Sequence, residues 1–454
     1  MKAMHYHFIG IGGIGMSGIA NLYLGRGIRV SGSDLKETKI TDELKKLGAT
    51  IFCGHAAGNI AGAEVVVYSS AIKEDNPEIT AARNMGIPLL MRAEALAQLM
   101  QDRIGITVTG SHGKTTTTSL VSCLLLEAGL KPTVAIGGIL KNIESNASLG
   151  EGNFFVAEAD ESDGSFLYYR PKYSIITNID YEHLDYYNDF KNVLLAFKEF
   201  IHKTDKAGCV FACSDDVNLK RILSEYKERY VLYGLGEGAQ IYPKDIKIRG
   251  LNSSFDCYDK DRFISRFELA LGGEHNICNS LAVIALGLEL GISPEVIKKT
   301  LANYKGAGRR AEIKFQDSGY LIIDDYAHHP TEIRATLSAV KNLSAGRLIA
   351  VFQPHRYSRT KLLLDDFGRS FGLADYVIVT DIYPASEPPI EGITGRRVFE
   401  KIKEYEPDKE AYFLAKEDIV GHILEKIRPG DLVITLGAGD IIKTNEELVA
   451  RIKG

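Results

Sequence analysis

The 454-residue sequence predicts an α/β protein of three consecutive domains. Three observations carry that prediction. The chain is too long for a single hydrophobic core. Two glycine-rich turns each sit between a strand and a helix. A regular strand–helix alternation fills the last third. Glycine is abundant at 44 residues, as many tight strand–helix turns require, and the rest is ordinary for a globular chain, 45% hydrophobic and 25% charged. A formal net charge of −5 supplies no basic field for nucleic acid. No apolar run reaches the ~18 residues of a membrane span, and the N-terminus enters a strand rather than a signal peptide. The six cysteines (53, 123, 209, 213, 257, 278) are scattered; only 209 and 213 are close, with no zinc spacing around them. Reduced structural thiols in a cytoplasmic protein, monomeric or weakly dimeric, are expected.

The first domain opens on a strand beginning at His5 that runs into Gly10-Ile-Gly12-Gly13-Ile-Gly15, followed by a helix over 16–26. Gly10-x-Gly12-x-x-Gly15 in that setting lets a diphosphate approach a helix N-terminus closely. After a second strand over 28–31, Asp34 stands where a carboxylate takes a ribose hydroxyl. NAD, FAD and a nucleotide-sugar diphosphate all satisfy this pattern, and so does a purely structural turn. Strands over 50–53, 64–69 and 88–91 and helices over 76–86 and 92–101 complete a Rossmann-like domain of residues 1–102. His55, Ser69 and Ser70 fall at strand ends, where ligands of open α/β sheets gather. The candidate ligand set is therefore Gly12, Gly13, Gly15, Met16, Ser17, Asp34, His55, Ser69 and Ser70.

The second domain, 103–308, opens on the sharpest signal in the chain. A β-branched strand over 104–109 leads into Gly110-Ser-His-Gly-Lys-Thr115 and then into the apolar helix that contains Ser119-Leu-Val-Ser-Cys-Leu. Backbone N–H groups of such a turn and the helix dipole hold a phosphate. Lys114 reaches the β/γ-phosphates and the Thr115 hydroxyl suits Mg²⁺. The general spacing wants glycine at position 108, where Val108 stands, so Gly110 serves from inside the loop. Strand, turn, Lys-Thr and helix coincide too fully for a chance lysine. The segment predicts a P-loop nucleoside triphosphate site with Gly110, Ser111, His112, Gly113, Lys114, Thr115 and Thr116 around the phosphates.

A strand and turn follow at Lys131-Pro-Thr-Val-Ala-Ile-Gly-Gly. The strand starting at Phe154 ends in Glu158, Asp160, Glu161 and Asp163. Charge runs usually solvate a face, but one at a strand's C-terminal end beside a nucleotide points to Mg²⁺ and to Glu158. A strand over 173–178 ends in Asn178-Ile-Asp-Tyr-Glu-His183. A lone loop histidine is usually bland; Asn178, Asp180 and Asp185 around His183 make it a candidate for a second metal or for the reacting acyl phosphate. Helical spacing follows over 189–202, through Val193, Leu194, Phe197, Phe200 and Ile201. Residues 205–270 read as β-rich, with alternation over 241–248 and 262–271, and an apolar helix covers 281–290. His275, Asn276 and Asn279 fall at that helix's start, placed for a base or phosphate, or simply as caps.

Tyr304-Lys-Gly-Ala-Gly-Arg-Arg310 reads as a hinge whose arginine can swing onto a γ-phosphate. The third domain, 309–454, alternates strands over 320–325, 347–353, 376–381, 411–414 and 431–436 with helices over 330–341, 361–371, 394–403, 416–427 and a last one. That pattern predicts a Rossmann-like doubly wound sheet. Its strand ends carry Asp324-Asp-Tyr-Ala-His-His-Pro330, Gln353-Pro-His-Arg-Tyr-Ser-Arg359, Asp381-Ile-Tyr and Leu436-Gly-Ala-Gly. Arg356 and Arg359 are spaced to grip a carboxylate or phosphate bidentately, or are plain surface arginines.

These blocks, with Gly273-Glu-His-Asn276 and Gly308-Arg-Arg310, follow one another as in the Mur ligases of bacterial peptidoglycan synthesis, which the chain resembles over essentially its whole length. The resemblance implies domains for a UDP-sugar, for ATP and for an amino acid, in that order. It implies an ATP-dependent carboxylate–amine ligation joining L-alanine to the lactyl carboxylate of UDP-N-acetylmuramate through an acyl phosphate. It assigns the first glycine motif to a UDP diphosphate, which the spacing alone does not. It further implies ATP and Mg²⁺ as cofactors, with Lys114 on the phosphates, Thr115 and Glu158 on one Mg²⁺ and His183 helping to bind a second. Asn276 and Arg310 would contact ATP, with Asp325 near the ribose. Tyr326, His328, Arg356 and Arg359 would position the amino acid and the muramoyl end. Lys114, His183 and Arg310 are the expected catalytic residues. Several members of the family carry a carbamylated lysine after the metal-binding histidine; here Phe197 and Lys198 fall in that region, and none is expected.

Three rivals leave distinguishable traces. A ligase of the same family that attaches a recovered peptide would turn over with a tripeptide rather than L-alanine. An NAD(P)-dependent oxidoreductase leaves the Lys114 loop, the acidic strand end and Arg310 without a task. A non-catalytic ATP-driven switch would hydrolyse ATP whether or not the UDP-sugar is present.

Overall fold

The computed structural model describes residues 4–69, 71–317, 319–341, 343, 346–385 and 387–453; Ser70, an expected ligand residue, lies outside them, as does the side chain of Asp185. Among the described residues the strands form three sheets. The first contains β1 (His5–Ile9), β2 (Arg29–Asp34), β3 (Thr50–Cys53), β4 (Val65–Tyr68) and β5 (Leu89–Met91) in the order β3-β2-β1-β4-β5, all parallel. β2 and β3 are added on one side of β1 and β4 and β5 on the other, and the turn after β1 opens at that switch point. β1 is buried along its whole length, as a central parallel strand covered on both faces must be. The helix Pro77–Met85 follows its local signals. Asn76 Oδ1 accepts the Glu78 N–H at 2.9 Å, Pro77 occupies the first turn, and Gly86 closes the end at φ +67°.

The second sheet contains β6 (Ile104–Thr109), β7 (Thr133–Leu140), β8 (Ser145–Ser148), β9 (Phe154–Glu158), β10 (Tyr173–Ile176), β11 (Cys209–Cys213), β12 (Tyr230–Tyr233), β13 (Ile241–Arg249), β14 (Asn252–Asp259) and β15 (Arg262–Leu269). Its order is β15-β14-β13-β12-β11-β10-β6-β9-β7-β8. β6 therefore lies between β9 and β10, both parallel to it, and the loops leaving all three strands emerge on one edge. The helix Lys114–Glu127 is buried from Thr115 to Leu125, which explains its lack of a polar face. Inside the stretch expected to be β-rich, Val217–Leu223 is helical, its start capped by Asp216, whose Oδ1 accepts the N–H groups of Asn218 and Leu219. At two turns it is too short for a helical period to register. The apolar helix begins at Glu274, earlier than expected, so Asn276 and Asn279 lie within its first turns.

The third sheet holds β16 (Glu312–Gln316), β17 (Tyr320–Asp325), β18 (Leu348–Phe352), β19 (Tyr376–Val379), β20 (Glu410–Phe413) and β21 (Asp431–Leu436), in the order β16-β17-β21-β18-β19-β20. Only β16 runs antiparallel. Alternate residues feed two cores. Ile323, Ala350, Val377 and Ile434 pack with Ile333, Leu337, Phe367 and Val398, whereas Ile322, Ile349, Ile378 and Val433 pack with Ile419, Ile423 and Leu448. Helices on both faces make this the expected doubly wound sheet. The helix expected over 361–371 is broken into Tyr357–Leu362 and Leu364–Gly368 by the non-helical backbone of Leu363.

The chain divides into two compact units: Met1–Lys244 with Asp256–Phe267 and Cys278–Lys305, and Asp245–Phe255 with Glu268–Ile277 and Gly306–Gly454. No helix among the described residues is long and apolar enough to cross a membrane.

Candidate functional site

β6 delivers the chain to Gly110 at φ +126°, and Gly113 at φ +83° hands it to the helix beginning at Lys114. Both glycines are forced. A Cβ on Gly110 would collide with the Thr177 hydroxyl and stand 2.8 Å from the Asn178 carbonyl oxygen, and one on Gly113 would stand 2.6 Å from Asn279 Oδ1. The segment after β10 stitches the loop in place. Ser111 N–H donates to the Asn178 carbonyl (3.0 Å) and His112 N–H to Asn178 Oδ1 (2.9 Å), while the Thr177 hydroxyl and Asn178 amide donate to the His112 carbonyl. Asp180 N–H donates to Ser111 Oγ (2.8 Å), and its carboxylate meets His112 Nε2 at 2.9 Å. Thr116 is buried in the first helical turn.

Lys114 Nζ donates to the carbonyls of Gly110 (2.7 Å) and Ser111 (3.2 Å) and to Glu161 Oε1 (2.8 Å). Burial opposes its charge, but Glu161 and Asp160 prevail and raise its pKa above the ordinary lysine value. Burial likewise opposes the Asp160 carboxylate, which Lys114 and Arg92 hold at about 2. The Thr115 hydroxyl donates to Glu158 Oε1 at 3.1 Å, and Glu158 Oε2 accepts the Gly137 N–H at 2.9 Å. His183, held at φ +58°, places Nε2 3.3 Å from Glu161 Oε1 and 3.6 Å from Glu182. Burial pushes its imidazolium down, but Glu161 and Glu182 raise it overall.

The donors fit Mg²⁺. Thr115 and Glu158 converge as an oxygen pair, and the ligand atoms of Glu161, Glu182 and His183 lie within 4.8 Å of one another. The second oxygen of Glu161 is buried without a hydrogen-bond partner among the described residues, which a cation would supply. The central position of Glu161 between lysine and histidine was hidden in the sequence, where four neighbouring carboxylates look alike. Lys198 pairs with Glu225 and Phe197 is fully buried.

The first glycine motif is also pre-formed. Gly12 N–H donates to Asp34 Oδ2 at 2.9 Å, so Asp34 braces the turn itself. Gly13 caps the helix Ile14–Gly25, whose first turn carries Gly15, Met16 and Ser17; Met16 is buried, and the Ser17 hydroxyl donates to the Ile14 carbonyl. The Arg92 guanidinium lies against Gly15 and 3.6 Å from Asp160, joining the motif to the acidic strand end. His55 Nδ1 meets Ser33 Oγ (3.0 Å) and Glu78 Oε2 (3.3 Å). Glu78, fully buried, also accepts from Ser33 (2.6 Å) and Asn59 (2.6 Å), with His7 3.7 Å away. Burial opposes its charge, but His7, Ser33 and Asn59 hold its pKa at about 2. Ser69, half-buried, directly follows β4. Arg92 and Glu78 were invisible in the sequence because each occupies an ordinary helical start.

In the second unit, Asp325 Oδ2 accepts the Ala311 N–H (2.6 Å) and Oδ1 the Ala327 N–H (2.7 Å); burial outweighs these and Arg310, lifting its pKa to about 6. The Arg309 and Arg310 guanidiniums lie 5.2 and 5.3 Å from the Tyr326 ring centre. Arg309 is committed, donating to Asp324 (2.8 Å) and to the carbonyls of Gly437 and Gly439. Arg310 Nη1 lies 3.9 Å from Glu332 Oε1. The His328 ring meets Tyr326 (5.4 Å) and His355 (5.5 Å), and Arg359 Nη1 lies 3.2 Å from His355 Nδ1. Arg356, at φ +69°, comes within 4.0 Å of Glu387. Tyr326, His328 and Arg359 are thus brought together, with His355 as an additional member. Asn276 Nδ2 donates to the Gly272 carbonyl at 2.8 Å.

Three family models match the chain in succession: "Mur ligase family, catalytic domain" over 5–104, "Mur ligase middle domain" over 108–287, and "Mur ligase, glutamate ligase domain" over 309–439. A UDP-N-acetylmuramate–L-alanine ligase of Geobacter sp. (strain M21) is 45% identical across 100% of this chain and 98% of its own. One from Desulfatibacillum aliphaticivorans is 47% identical across 99% of both. The crystal structure of the UDP-N-acetylmuramate-alanine ligase of Thermotoga maritima superposes with a TM-score of 0.84 at 31% identity over 99% of each chain. A murein peptide ligase from Psychrobacter arcticus shares the fold, with a TM-score of 0.73 at 24% identity over 99% of this chain and 98% of that one.

Proposed function

The chain belongs to the Mur ligase family, and on that footing we propose that it joins L-alanine to the lactyl carboxylate of UDP-N-acetylmuramate at the expense of ATP, in the cytoplasm. One observation carries the chemistry: a lysine-bearing phosphate loop whose ammonium, threonine hydroxyl and facing carboxylates converge at the ends of three adjacent parallel strands.

In this reading the lactyl carboxylate attacks the γ-phosphorus of ATP, ADP leaves, and the alanine amine attacks the carbonyl of the acyl phosphate, releasing phosphate and a proton. Such a transfer rests on positioning and charge neutralisation. Lys114 exchanges its loop carbonyls and Glu161 for phosphate oxygens, and the N–H groups of residues 110–116 complete the cradle. Mg²⁺, held by Thr115 and Glu158 at one position and with help from His183 at a second, would neutralise phosphate charge. Asp34 fixes the glycine turn against which the UDP diphosphate lies, with Gly12, Gly13, Gly15, Met16 and Ser17 around it and His55 and Ser69 at the crevice. Asn276 and Arg310 take the nucleotide, Asp325 stands near its ribose, and Tyr326, His328, Arg356 and Arg359 receive the amino acid and muramoyl end. The domain limits 1–102, 103–308 and 309–454 belong to the same reading.

Phosphate release by the purified protein with ATP, Mg²⁺ and UDP-N-acetylmuramate tests it. Release should require L-alanine and yield a product heavier by one alanyl residue. Turnover with a tripeptide but not with L-alanine would move the protein to the peptide-recycling ligases.

A further inference from the structure

The cysteine pair that looks close in sequence is not the pair the fold brings together. Cys213, at the end of β11, lies 3.4 Å from Cys278, sulfur to sulfur, although 65 residues separate them. Asp215 Oδ2 stands 3.9 Å from the first sulfur and 4.0 Å from the second. We propose that Cys213, Asp215 and Cys278 form a binding site for a single thiophilic divalent cation of the zinc–cadmium class.

The spacing is that of ligands around one small ion. Two thiolates on a tetrahedral zinc lie about 3.8 Å apart, and a thiolate and a carboxylate oxygen about 3.6 Å, given bond lengths near 2.3 and 2.1 Å. The three donors need move by only a few tenths of an ångström. Their support is already built. The Asp215 carboxylate accepts N–H bonds from Leu235 (2.8 Å) and Gly236 (2.7 Å), which fixes its orientation as an outer shell does for a metal ligand. A Cβ at Gly234 would stand 2.9 and 3.0 Å from its oxygens, so the loop closes on it without side chains. The Ser214 hydroxyl, on the same side of Gly234, is fully buried and has no hydrogen-bond partner among the described residues. Two sulfurs in the set select a soft cation over Mg²⁺. Such an ion would fasten the helix bearing Cys278 to the end of β11. The neighbouring residue on that helix, Asn279, is the one that packs on Gly113 of the phosphate loop.

The test is a Cd²⁺ titration of the reduced full-length protein in Mg²⁺ buffer, read by the ultraviolet thiolate-to-cadmium charge-transfer band, which oxygen and imidazole ligands do not produce. The band should saturate at one equivalent, disappear in Cys213→Ser and in Cys278→Ser, and need at least tenfold more Cd²⁺ in Asp215→Asn. Persistence of the band at one equivalent in both serine variants overturns the proposal. If the serine variants do not fold, the wild type decides: absence of the band overturns it, and saturation at one equivalent together with the Asp215→Asn shift upholds it.

Discussion

Lys114 has three N–H donors and the free chain uses all of them, on two loop carbonyls and on Glu161. A phosphate must therefore displace internal partners, and the ammonium cannot be replaced by an uncharged side chain. Lys114→Ala should lower turnover by roughly a thousandfold or more while the circular dichroism spectrum is retained; phosphate release at the wild-type rate would remove the loop from the mechanism. His183→Ala strips one donor from the Glu161–Glu182–His183 group and should raise the Mg²⁺ concentration for half-maximal rate about tenfold; an unchanged titration would make the histidine structural. Glu78 acts on stability. Its folded pKa of about 2 lies below the ordinary value of 4.5, so its contribution is complete above pH 4.5 and disappears as pH falls through 2. The stability gap between the wild type and Glu78→Gln should narrow by about 3 kcal/mol over that window, measured by urea unfolding. A gap independent of pH would mean that the carboxylate carries no net charge advantage.

The strand–turn–helix element around Gly110 was readable in the sequence because every part of its signal is local: β-branched strand, left-handed glycines, lysine at the helix start. What holds it was not readable, because Thr177, Asn178 and Asp180 come from a loop more than sixty residues away. The same holds for Gly137, whose N–H anchors Glu158 from β7. A Cβ there would stand 2.6 Å from Glu158 Oε1, so Gly137→Ala should push the carboxylate off the Thr115 hydroxyl and weaken Mg²⁺ activation about tenfold at nearly unchanged melting temperature. An unaltered Mg²⁺ titration would detach Glu158 from the metal. Gly110→Ala combines a forced positive φ with collision into Thr177 and should cost about 2–4 kcal/mol in unfolding free energy, read from denaturant midpoints.

Over the molecule as a whole, composition and alternation were enough for an α/β reading, and each run of buried residues found its sheet. Short pieces such as Val217–Leu223, and side chains that meet across the fold, such as Glu78 with His55 and Cys213 with Cys278, were not legible in the sequence. Two turns of helix show no period, and partners distant in sequence leave no local trace. The chain leaves the first unit for the last time at Gly306, a left-handed residue at φ +89° where an added Cβ would meet no atom within 4 Å among the described residues. ATP and UDP-sugar together should reduce the radius of gyration in small-angle scattering, and an envelope indifferent to both ligands would argue against a hinge.

The second unit is not written in one stretch of sequence. It takes in residues 245–255 and 268–277 long before Gly306, and Leu251 from the first of these packs into the core beneath the third sheet. Gly250 comes so near Leu343 that a Cβ would stand 2.8 Å from its Cδ2. Exchange of residues 309–454 alone between relatives would therefore set a foreign surface against Leu251 and Gly250, at a cost on the order of 2 kcal/mol. Recombination at that point is penalised by packing, so the middle and last parts of the chain are expected to be inherited together and to diverge at matched rates rather than to be shuffled as modules.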